Sequence, residues 1–372
     1  MIKERRFIEQ LLSMAGLTLN GPNSFDPQIY DERFYRRVLK NGSLGLGESY
    51  MDKWWGVKKL DECIYKILKA ELEKKFYGNL KIMLLFTLNY IRNPGRTSKA
   101  FEVGEKHYDI GNDLYEKMLD KRLTYTCGYW KEARNLDEAQ EAKLDLVCKK
   151  IGLKPGMRVL DIGSGWGSFI GYAAQNYGIK AIGLTVSKEQ KAYADERYKN
   201  LSVETRLQDY RELGHEQFDR IVSLGMFEHV GEKNYRTFMQ VVHQLLEDDG
   251  LFLLHTIGGN RSVKGTDPWI HRYIFPNGMI PSIAQIGRSI ENLFVMEDWH
   301  NFALDYDKTL MAWYMNFINN YNQLKSKYND RFFRMWEYYL LSCAATFRAR
   351  KNQLWQIILS KKGLSSGYVS IR

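Results

Sequence analysis

Cysteine is scarce in this sequence. The 372 residues include four cysteines, Cys63, Cys127, Cys148 and Cys343, and no two of them form a CxxC pair. Cysteines this few and this far apart indicate neither a disulfide framework nor a zinc site. We therefore expect a protein of a reducing, cytoplasmic compartment.

Long apolar runs are also absent. The first ten residues, MIKERRFIEQ, carry charges and lack the apolar stretch of a signal peptide. The most apolar window, residues 82–91, is interrupted by Thr87 and Asn89 and is far too short to cross a bilayer. Any contact with a membrane should therefore be peripheral.

The sequence does have an excess of positive charge. Lys and Arg number 54 and Asp and Glu 44, which gives a formal net charge of +10. This balance favours an anionic partner, and charge alone leaves nucleic acid, anionic lipid and an acidic substrate open. Aromatic residues make up 14% of the chain, which favours an apolar substrate or an apolar interface.

Part of this charge falls on a predicted amphipathic helix. Apolar residues recur at helical spacing at Leu60, Ile64, Leu68, Leu72 and Phe76. Residues 51–100 contain eleven Lys or Arg against five Asp or Glu. A basic amphipathic helix can lie on an anionic bilayer, and the alternative is a small helical domain with a solvated basic face. The segment NPGRTS, residues 93–98, predicts a linker after this region.

The segment VLDIGSGWG, residues 159–167, is the strongest motif. A short apolar run leads to glycines at alternate positions, Gly163, Gly165 and Gly167, and a helical pattern follows at once. Strand, glycine turn and helix begin a doubly wound α/β domain, whose ligands bind at the carboxyl ends of strands. The third glycine comes too early for a dinucleotide fingerprint, and Asp161 suits a cationic ligand. The motif therefore predicts S-adenosylmethionine (SAM); the alternative is a turn that only packs a helix on a strand.

The rest of the chain alternates as an α/β domain should. Further strands are predicted at residues 181–185, 203–207, 218–224, 250–256, 294–298 and 353–360. Helices are predicted at residues 136–150, 188–197, 235–246, 283–292, 309–321 and 332–348. Clustered glycines predict a loop at residues 42–47, and an aromatic-rich loop is predicted at residues 259–282.

Polar side chains follow several of these strands. The second strand ends without the acid that commonly holds the ribose of SAM, and Thr185 and Gln190 are the nearest polar groups. Asp209 follows the third strand, where it could accept a hydrogen bond from adenine, although a surface acid is the alternative. Glu228 follows the fourth strand and is expected to face the reacting methyl group. His255 and Cys127 could be catalytic, yet a satisfied core histidine and a buried apolar thiol are the commoner roles.

Several motifs together resemble a known family. They are HYDIGNDLY at 107–115, YTCGYW at 125–130, LDIGSGWG at 160–167, MFEHVG at 226–231, LHTIG at 254–258 and DYDKTLMAWY at 305–314. The glycine motif is generic, whereas the combination of YTCGYW, MFEHVG and LHTIG is specific. The chain resembles, over almost its whole length, the cyclopropane fatty acyl phospholipid synthases of bacteria.

This resemblance implies a fold and a set of site residues. The fold would be a class I SAM-dependent methyltransferase, a Rossmann-like seven-stranded sheet with an antiparallel last strand, after a small, mainly helical N-terminal domain. A bicarbonate ion would act as base in contact with Cys127, Glu228, His255, Ile257 and Tyr306. The cofactor would contact Tyr125, Thr126, Asp161, Gly163, Gly165, Gly167, Leu184, Thr185, Gln190, Gln208 and Asp209.

The resemblance also implies a reaction, the cyclopropanation of unsaturated phospholipid acyl chains. Aromatic faces can stabilise a carbocation intermediate, and the candidates are Tyr129, Trp269, Tyr273, Phe275 and Tyr306. Residues 1–94 would form a lipid-associating domain and residues 95–372 the catalytic domain, at the inner face of the cell membrane. A homodimer is expected from the resemblance alone, and nucleic-acid binding is not, because no reading module occurs.

Two alternatives remain at this point. A related enzyme of the same fold could make methyl-branched lipids or methylate a small amine. A protein of another class could bind lipid or nucleic acid without catalysis, although the intact glycine motif disfavours it.

Overall fold

The computed structural model of the protein describes residues 2–72 and 111–372. The chain folds into two compact units. The first unit comprises Met1–Leu114, Thr266–Asn277 and Trp313–Lys351, and the second unit comprises Tyr115–Gly265, Gly278–Ala312 and Asn352–Arg372. Each unit therefore collects segments that are distant in the sequence.

A seven-stranded sheet forms the centre of the second unit. Its strands are β3 (Arg158–Ile162), β4 (Lys180–Thr185), β5 (Val203–Leu207), β6 (Phe218–Leu224), β7 (Leu246–Gly259), β8 (Val295–Asn301) and β9 (Asn352–Ser360). Their order across the sheet is β5-β4-β3-β6-β7-β9-β8. The pairs from β5 to β7 are parallel, whereas β9 runs antiparallel to both β7 and β8. The predicted sheet, with its antiparallel last strand, is confirmed.

Both faces of this sheet are buried because apolar residues occupy successive positions of its strands. Within β7, Phe252 and Leu254 belong to one core, whereas Leu251 and Leu253 belong to another. Helices α8 (Tyr235–Leu245) and α10 (Ile283–Ile290) contribute to the first of these cores. Helices α5 (Leu136–Lys150) and α6 (Ser168–Tyr177) contribute to the second. The alternation of side chains along a strand thus gives the sheet two separate apolar layers.

Helices begin in this unit where the sequence supplies capping side chains. The Asn135 side chain accepts a hydrogen bond from the amide of Glu138 at the start of α5. Ser187 accepts one from the amide of Gln190 at the start of α7 (Lys188–Tyr198). Each cap satisfies an amide that has no partner inside the helix. Both helices therefore begin directly after a capping residue, Asn135 or Ser187.

Helices dominate the first unit. They include α1 (Ile2–Met14), α2 (Arg33–Met51), α3 (Leu60–Lys69), α9 (Pro268–Tyr273) and α12 (Asp330–Arg348). The strands β1 (Gln28–Ile29) and β2 (Trp55–Gly56) pair antiparallel. Helix α12 packs against α2 and α3, and α9 packs against α2. Two further helices are α4 (Asn112–Met118) and α11 (Leu304–Leu324).

One predicted loop is wrong, and another contains a short helix. Residues 42–47 lie within α2, which bends at Gly42, where φ is +56° and ψ is −130°. A left-handed residue of this kind suits glycine, so a bend replaces the predicted loop. The predicted loop at residues 259–282 contains α9, whose start is capped by the Asp267 carboxylate and carries Pro268 in its first turn.

Part of the predicted organisation falls outside the described residues. The linker at residues 93–98 and the apolar position Phe76 are among the positions that the structure does not describe. The division into residues 1–94 and 95–372 therefore stays a prediction. Within the described ranges, no helix combines the length and the apolar character needed to cross a membrane.

We predict that Gly47→Ala destabilises the protein by about 1–3 kcal/mol, because overpacking forces neighbouring atoms apart. A Cβ on Gly47 would lie 2.4 Å from Cδ1 of Trp269, which is 1% exposed and cannot move into solvent. The matched control is Gly287→Ala in α10, where a Cβ meets no described atom within 4 Å. That control should gain up to about 1 kcal/mol from helix propensity. Urea unfolding measures both, and equal effects would contradict the packing argument.

Candidate active site

The carboxyl ends of four parallel strands meet at one edge of the sheet. Ile162 of β3 lies beside Leu184 of β4, and Leu224 of β6 lies beside His255 of β7. Ligands of doubly wound sheets bind at such an edge, because the loops that follow the strands converge there. The predicted SAM loop follows β3, Glu228 follows β6, and His255 lies on β7 beside the end of β6. All three therefore belong to neighbouring strands.

The glycine loop after β3 has a backbone conformation that other residues disfavour. Gly163, Gly165 and Gly167 have φ angles of +91°, +55° and +81°. A Cβ on Gly163 would lie 2.6 Å from Cβ of Met226, so the loop packs directly on the segment after β6. A Cβ on Gly165 would meet no atom of the described chain within 4 Å. Open space beside bare backbone is what a ligand that touches this loop requires.

Asp161 carries a buried carboxyl group at the end of β3. The residue is 2% exposed, and its Oδ1 has no hydrogen-bond partner among the residues that the structure describes. Burial raises the pKa of Asp161 to about 7, and the charge of Lys143 lowers it in part. A buried polar atom without a partner costs free energy, so the site suits a cationic or hydrogen-bond-donating ligand from outside the chain.

Helix α5 holds the predicted cofactor residue Thr126 at two points. Nζ of Lys143 lies 2.9 Å from the Thr126 hydroxyl, and Nε2 of Gln140 lies 2.7 Å from its carbonyl oxygen. Both donors are fully buried, and burial lowers the pKa of Lys143 to about 8. A Cβ on Gly225 would lie 2.6 Å from Cγ2 of Thr126, so this threonine also packs on the loop after β6.

The sequence prediction missed Gln140 and Lys143. A signal was present, because Lys143 lies four residues from both Ala139 and Val147, which are buried on the same face of α5. A lysine on an apolar helical stripe is unusual and indicates a specific buried partner. Here that partner is the hydroxyl of Thr126.

The residues at the end of β4 form a small polar group without a carboxylate. The Thr185 hydroxyl lies 2.7 Å from Oε1 of Gln190 and accepts a hydrogen bond from the amide of Ser187. The carbonyl of Leu184 accepts hydrogen bonds from the amides of Gly163 and Ser164. The amide of Gln208 donates to the carbonyl of Thr185. The predicted residues Leu184, Thr185, Gln190 and Gln208 are therefore adjacent, and their contact with a cofactor stays a prediction.

Asp209 is occupied by its own neighbour. Its carboxylate accepts hydrogen bonds from the amide of Arg211 at 2.9 Å and from the Arg211 guanidinium at 2.8 and 2.6 Å. These hydrogen bonds hold the pKa of Asp209 below its usual value. The carboxylate keeps unused lone pairs, so the predicted contact with adenine stays open.

Glu228 is buried in the loop after β6. Its Oε1 accepts a hydrogen bond of 2.6 Å from the amide of Ile257, which pins the side chain to β7. Its Oε2 has no partner within the described part of the chain. Burial raises the pKa of Glu228 to about 7, whereas the hydrogen bond from Ile257 opposes the shift. Glu228 and Ile257 thus lie together, as predicted, and one carboxylate oxygen is left over for a ligand.

His255 shows the same pattern. The residue is 1% exposed, and its Nδ1 lies 3.3 Å from Nε2 of Gln356 on the neighbouring strand β9. Its Nε2 has no partner in the described residues. Burial lowers the pKa of His255 well below its usual value, helped by the charges of Lys143 and Lys150, so the ring is neutral. A neutral imidazole with one nitrogen left over is suited to hydrogen-bond a small ligand.

Cys127 is packed and is not ionised. Its Sγ donates to the carbonyl of Gly128 and lies 3.8 Å from the hydroxyl of Thr309 in α11. Burial raises the pKa of the Cys127 thiol, and Asp305 raises it further, so the thiolate needed for nucleophilic attack is disfavoured. Tyr306 lies one turn before Thr309 in the same helix and is 9% exposed. The contact of Cys127 or Tyr306 with bicarbonate stays a prediction.

Thr309 and Asp305 organise this region, although the sequence prediction gave them no role. The Thr309 hydroxyl accepts hydrogen bonds from the Gly128 amide at 3.1 Å and from Nε1 of Trp130 at 2.9 Å. The Asp305 carboxylate accepts one from the Trp130 amide at 2.8 Å. Both residues lie inside the recognised DYDKTLMAWY motif, which was the available signal.

The predicted substrate aromatics fall into two groups. Tyr129 in the second unit contacts the ring of Phe302, with centroids 5.4 Å apart, and the same Phe302 ring lies 6.0 Å from His255. Within the first unit, Trp269 packs on Tyr338, Tyr273 bonds to Glu48, and Phe275 packs on Tyr339. Packing accounts for Trp269, Tyr273 and Phe275, and their contact with substrate stays a prediction.

Residues 95–357 match the model of the family described as mycolic acid cyclopropane synthetase. The cyclopropane-fatty-acyl-phospholipid synthase of Escherichia coli (strain K12) is 51% identical over 362 residues, which cover 97% of this chain and 94% of that protein. A probable fatty acid methyltransferase of Pseudomonas putida is 36% identical over 68% of each chain.

Solved structures agree with these matches. The cyclopropane synthase MmaA2 from Mycobacterium tuberculosis superposes with a TM-score of 0.66 at 31% identity, over 70% of this chain and 98% of that one. The mycolic acid cyclopropane synthase CmaA1, solved with SAH and CTAB, gives a TM-score of 0.64 at 33% identity, over the same shares of the two chains.

Sheet order, glycine loop and relatives together define an enzyme, a class I SAM-dependent methyltransferase. The residues fit that cofactor, because, within the described ranges, the space beside Gly165 is open and Oδ1 of Asp161 is buried without a partner. Within this class, the chain belongs to the mycolic acid cyclopropane synthetase family.

We predict that the stability of the SAM-free Asp161→Asn variant, compared with that of the SAM-free wild type, increases as the pH rises. Between about pH 4 and pH 7 the folded protein binds more protons at Asp161 than the unfolded chain, because the folded pKa is near 7. Stability from this group is therefore lost as the pH rises through that window, by up to about 4 kcal/mol in all. The free energy of unfolding of the variant minus that of the wild type should increase from pH 4 to pH 8.

The matched control for this experiment is Asp209→Asn. The pKa of Asp209 is lowered by Arg211, so its stabilising effect is fully present at pH 8 and is lost only in acid. This control should show no relative gain at pH 8. A stability difference for Asp161→Asn that does not vary with pH would contradict the burial argument. The affinity of the same variant for SAM, measured by calorimetry, should be lower than that of the wild type.

Proposed function

We propose that this protein is a cyclopropane-fatty-acyl-phospholipid synthase, which adds a methylene group from SAM across a cis double bond of a phospholipid acyl chain. The 51% identical relative of that name, matched over 97% of the chain, supports the proposal. The alternative is a related enzyme that makes methyl-branched lipids, and the 36% identical relative is named a probable fatty acid methyltransferase. The two products differ in chemistry and can be distinguished directly.

One observation in the site carries the mechanism. Oε2 of Glu228 and Nε2 of His255 are both buried, and neither has a partner among the described residues. The amide of Ile257 ties Glu228 to β7, the strand on which His255 lies, so the two unpaired atoms belong to one small region. A bicarbonate ion offers both a hydroxyl donor for Glu228 and oxygen acceptors for His255, so the residues fit it. Bicarbonate would supply the base that the reaction needs.

The chemistry follows from what the protein must control. When bound, SAM supplies the methyl group and leaves as a neutral thioether. The carbon of the transferred methyl group forms one bond to each former alkene carbon and loses one proton. The products are therefore a cyclopropane ring and a proton. The burial of Glu228, His255 and Cys127 keeps water from the positive charge that develops on the acyl chain. In this proposal the Tyr129 ring, which contacts Phe302 near His255, would stabilise that charge.

Neither residue acts as a strong base by itself in this proposal. His255 is held neutral, since burial lowers its pKa, and it orients an anion through Nε2. Glu228 has a pKa near 7, so it holds a proton in part of the population and can share it with an anionic neighbour. A shared proton removes the repulsion that two full negative charges would otherwise have.

The lipid substrate implies peripheral contact with a membrane. In α3, Leu60, Cys63 and Ile64 are buried within the first unit. Lys69 at the end of the helix and Lys59 just before it are exposed. The apolar side of α3 thus packs within the protein and its basic side is solvated, so attraction to anionic lipid would come from the exposed lysines alone. Cosedimentation with phosphatidylglycerol vesicles but not with phosphatidylcholine vesicles would support this contact, and equal cosedimentation would count against it. The homodimer stays a prediction from the resemblance.

The product assay tests the function. We predict that the protein, SAM and vesicles of a monounsaturated phospholipid yield acyl chains that are heavier by one methylene group. Proton nuclear magnetic resonance of these chains should show cyclopropane signals in place of the vinyl signals. A methyl branch with retained unsaturation would support the alternative enzyme. Methyl transfer to a soluble amine, with unchanged lipid, would exclude both lipid functions.

We predict that Glu228→Gln lowers the rate of turnover by about 100-fold or more, the usual cost of removing a group that stabilises the reacting centre. SAM affinity should change by less than about threefold, because the proposal assigns Glu228 to the reacting centre and not to cofactor binding. The control is Glu232→Gln, a nearby exposed carboxylate that pairs loosely with Arg288 at 3.8 Å. A collapse of SAM affinity in Glu228→Gln would place this residue on the cofactor side.

A further inference from the structure

A second cleft lies in the second unit, away from the strand ends described above. Its volume is about 440 Å³, large enough for a small organic anion. It is lined by Lys121, Arg122, Gln175, Arg197, Tyr198 and Leu201. The lining contains three cations and no carboxylate. It is formed by the segment before α5 together with residues of α6 and the end of α7.

The cations are held in place by neighbours. The Arg197 guanidinium bonds to the hydroxyl of Tyr193 at 2.5 Å and to the carbonyl of Lys121 at 2.6 Å. Nζ of Lys121 and Nε of Arg122 both lie 3.2 Å from Oε1 of Glu141. Each guanidinium keeps further N–H groups, because five donors exceed these contacts. These contacts hold the three cations in position, although Glu141 neutralises part of the charge of Lys121 and Arg122.

Other carboxylates near this segment are engaged elsewhere. Asp137 accepts a hydrogen bond from the backbone amide of Lys121, and Asp120 accepts hydrogen bonds from the amides of Arg122 and Thr124. These hydrogen bonds fix the backbone of the segment. Neither Asp120 nor Asp137 is among the residues that line the cleft.

Tyr198 brings an unsatisfied donor to the same cleft. The residue is 5% exposed, and its hydroxyl has no hydrogen-bond partner among the described residues. Burial raises the pKa of Tyr198, the charges of Arg197 and Arg122 lower it, and those of Tyr193 and Asp120 raise it, so two guanidinium groups and one carboxylate act on the phenol. A buried hydroxyl without a partner costs free energy that an acceptor in the cleft would recover.

The ring of Tyr198 connects the cleft to the cofactor loop. A Cβ on Gly167, the third glycine of that loop, would lie 3.0 Å from Cε2 of Tyr198. A Cβ on Gly171, one turn later in α6, would lie 2.1 Å from Cε1 of the same ring. Because these contacts leave no free space, a shift of the ring must be felt by the backbone of the glycine loop.

We propose that this cleft binds a small phosphorylated anion, which accepts a hydrogen bond from Tyr198 and changes SAM affinity through the contact of the Tyr198 ring with Gly167. Phosphate matches the lining, because its several oxygens accept bonds from two guanidinium groups and a phenol at once. Both a soluble phosphate and a lipid headgroup carry this chemistry. The site would then be regulatory, because a ligand in the cleft and SAM would each change the affinity of the protein for the other.

Calorimetric titration tests the binding. The probes are inorganic pyrophosphate, for a soluble ligand, and dihexanoyl phosphatidylglycerol below its micelle concentration, for a headgroup. The probe with the higher affinity identifies the source. Tyr198→Phe keeps the ring on Gly167 and removes only the hydroxyl, so it should bind at least about 10-fold more weakly, the value of a hydrogen bond to a charged group.

Two further variants define the site. Arg197→Gln should weaken binding to a similar degree. The control is Lys180→Gln, which removes the same charge from an exposed lysine at the start of β4, outside the cleft. This variant should bind the probe as the wild type does. Thermal unfolding verifies that each variant is folded. No saturable binding of either probe, or equal binding by all three variants, would overturn the proposal.

The coupling is measured by titrating SAM with and without a saturating probe. The dissociation constant of SAM should shift by about 5-fold or more in the wild type and in Lys180→Gln, the usual range of allosteric coupling. In Tyr198→Phe the same shift should require about 10-fold more probe, because this variant binds the probe more weakly. Binding in the cleft with an unchanged SAM affinity would overturn the regulatory role.

Discussion

The site depends on polar groups that the protein buries without satisfying. Asp161, Glu228 and His255 lie at adjacent strand ends, and each keeps one polar atom without a partner in the described chain. Such atoms lower stability, so the structure around them must hold them in place. The two apolar layers of the sheet do this, because they fix the strands whose ends carry these groups. The unsatisfied atoms are thus held in fixed positions at the strands where a doubly wound sheet binds its ligands.

Features set by neighbouring residues were predictable from the sequence. The strand, glycine turn and helix around Gly163 form a local unit, and capping by Asn135 and Ser187 needs only three residues of context. The boundaries of α5 and β6 were therefore predicted to the residue. Glu228 was placed correctly after β6, whereas β7 continues four residues past His255, which lies beside the last residue of β6.

Features set by distant residues were not predictable in the same way. The glycines of α2 suggested a loop, yet a single left-handed residue, Gly42, bends a helix that tertiary packing maintains. The partner of Gly47 is Trp269, more than two hundred residues later, and no local pattern announces it. Lys143 was missed for a related reason, since its role depends on the position of Thr126 in a separate segment.

The packing of Trp269 on Gly47 bears on how far this chain is modular. The family match begins at residue 95, so a chain that started there would keep Trp269 and lose both Gly47 and Met51, the residues that cover its indole. A ring that is now 1% exposed would then face water beside Tyr338. The N-terminal helices are therefore not an appendage that could be gained or lost in one step. Their addition to an ancestral catalytic chain, or their removal, would require α9 and α12 to change their surfaces at the same time.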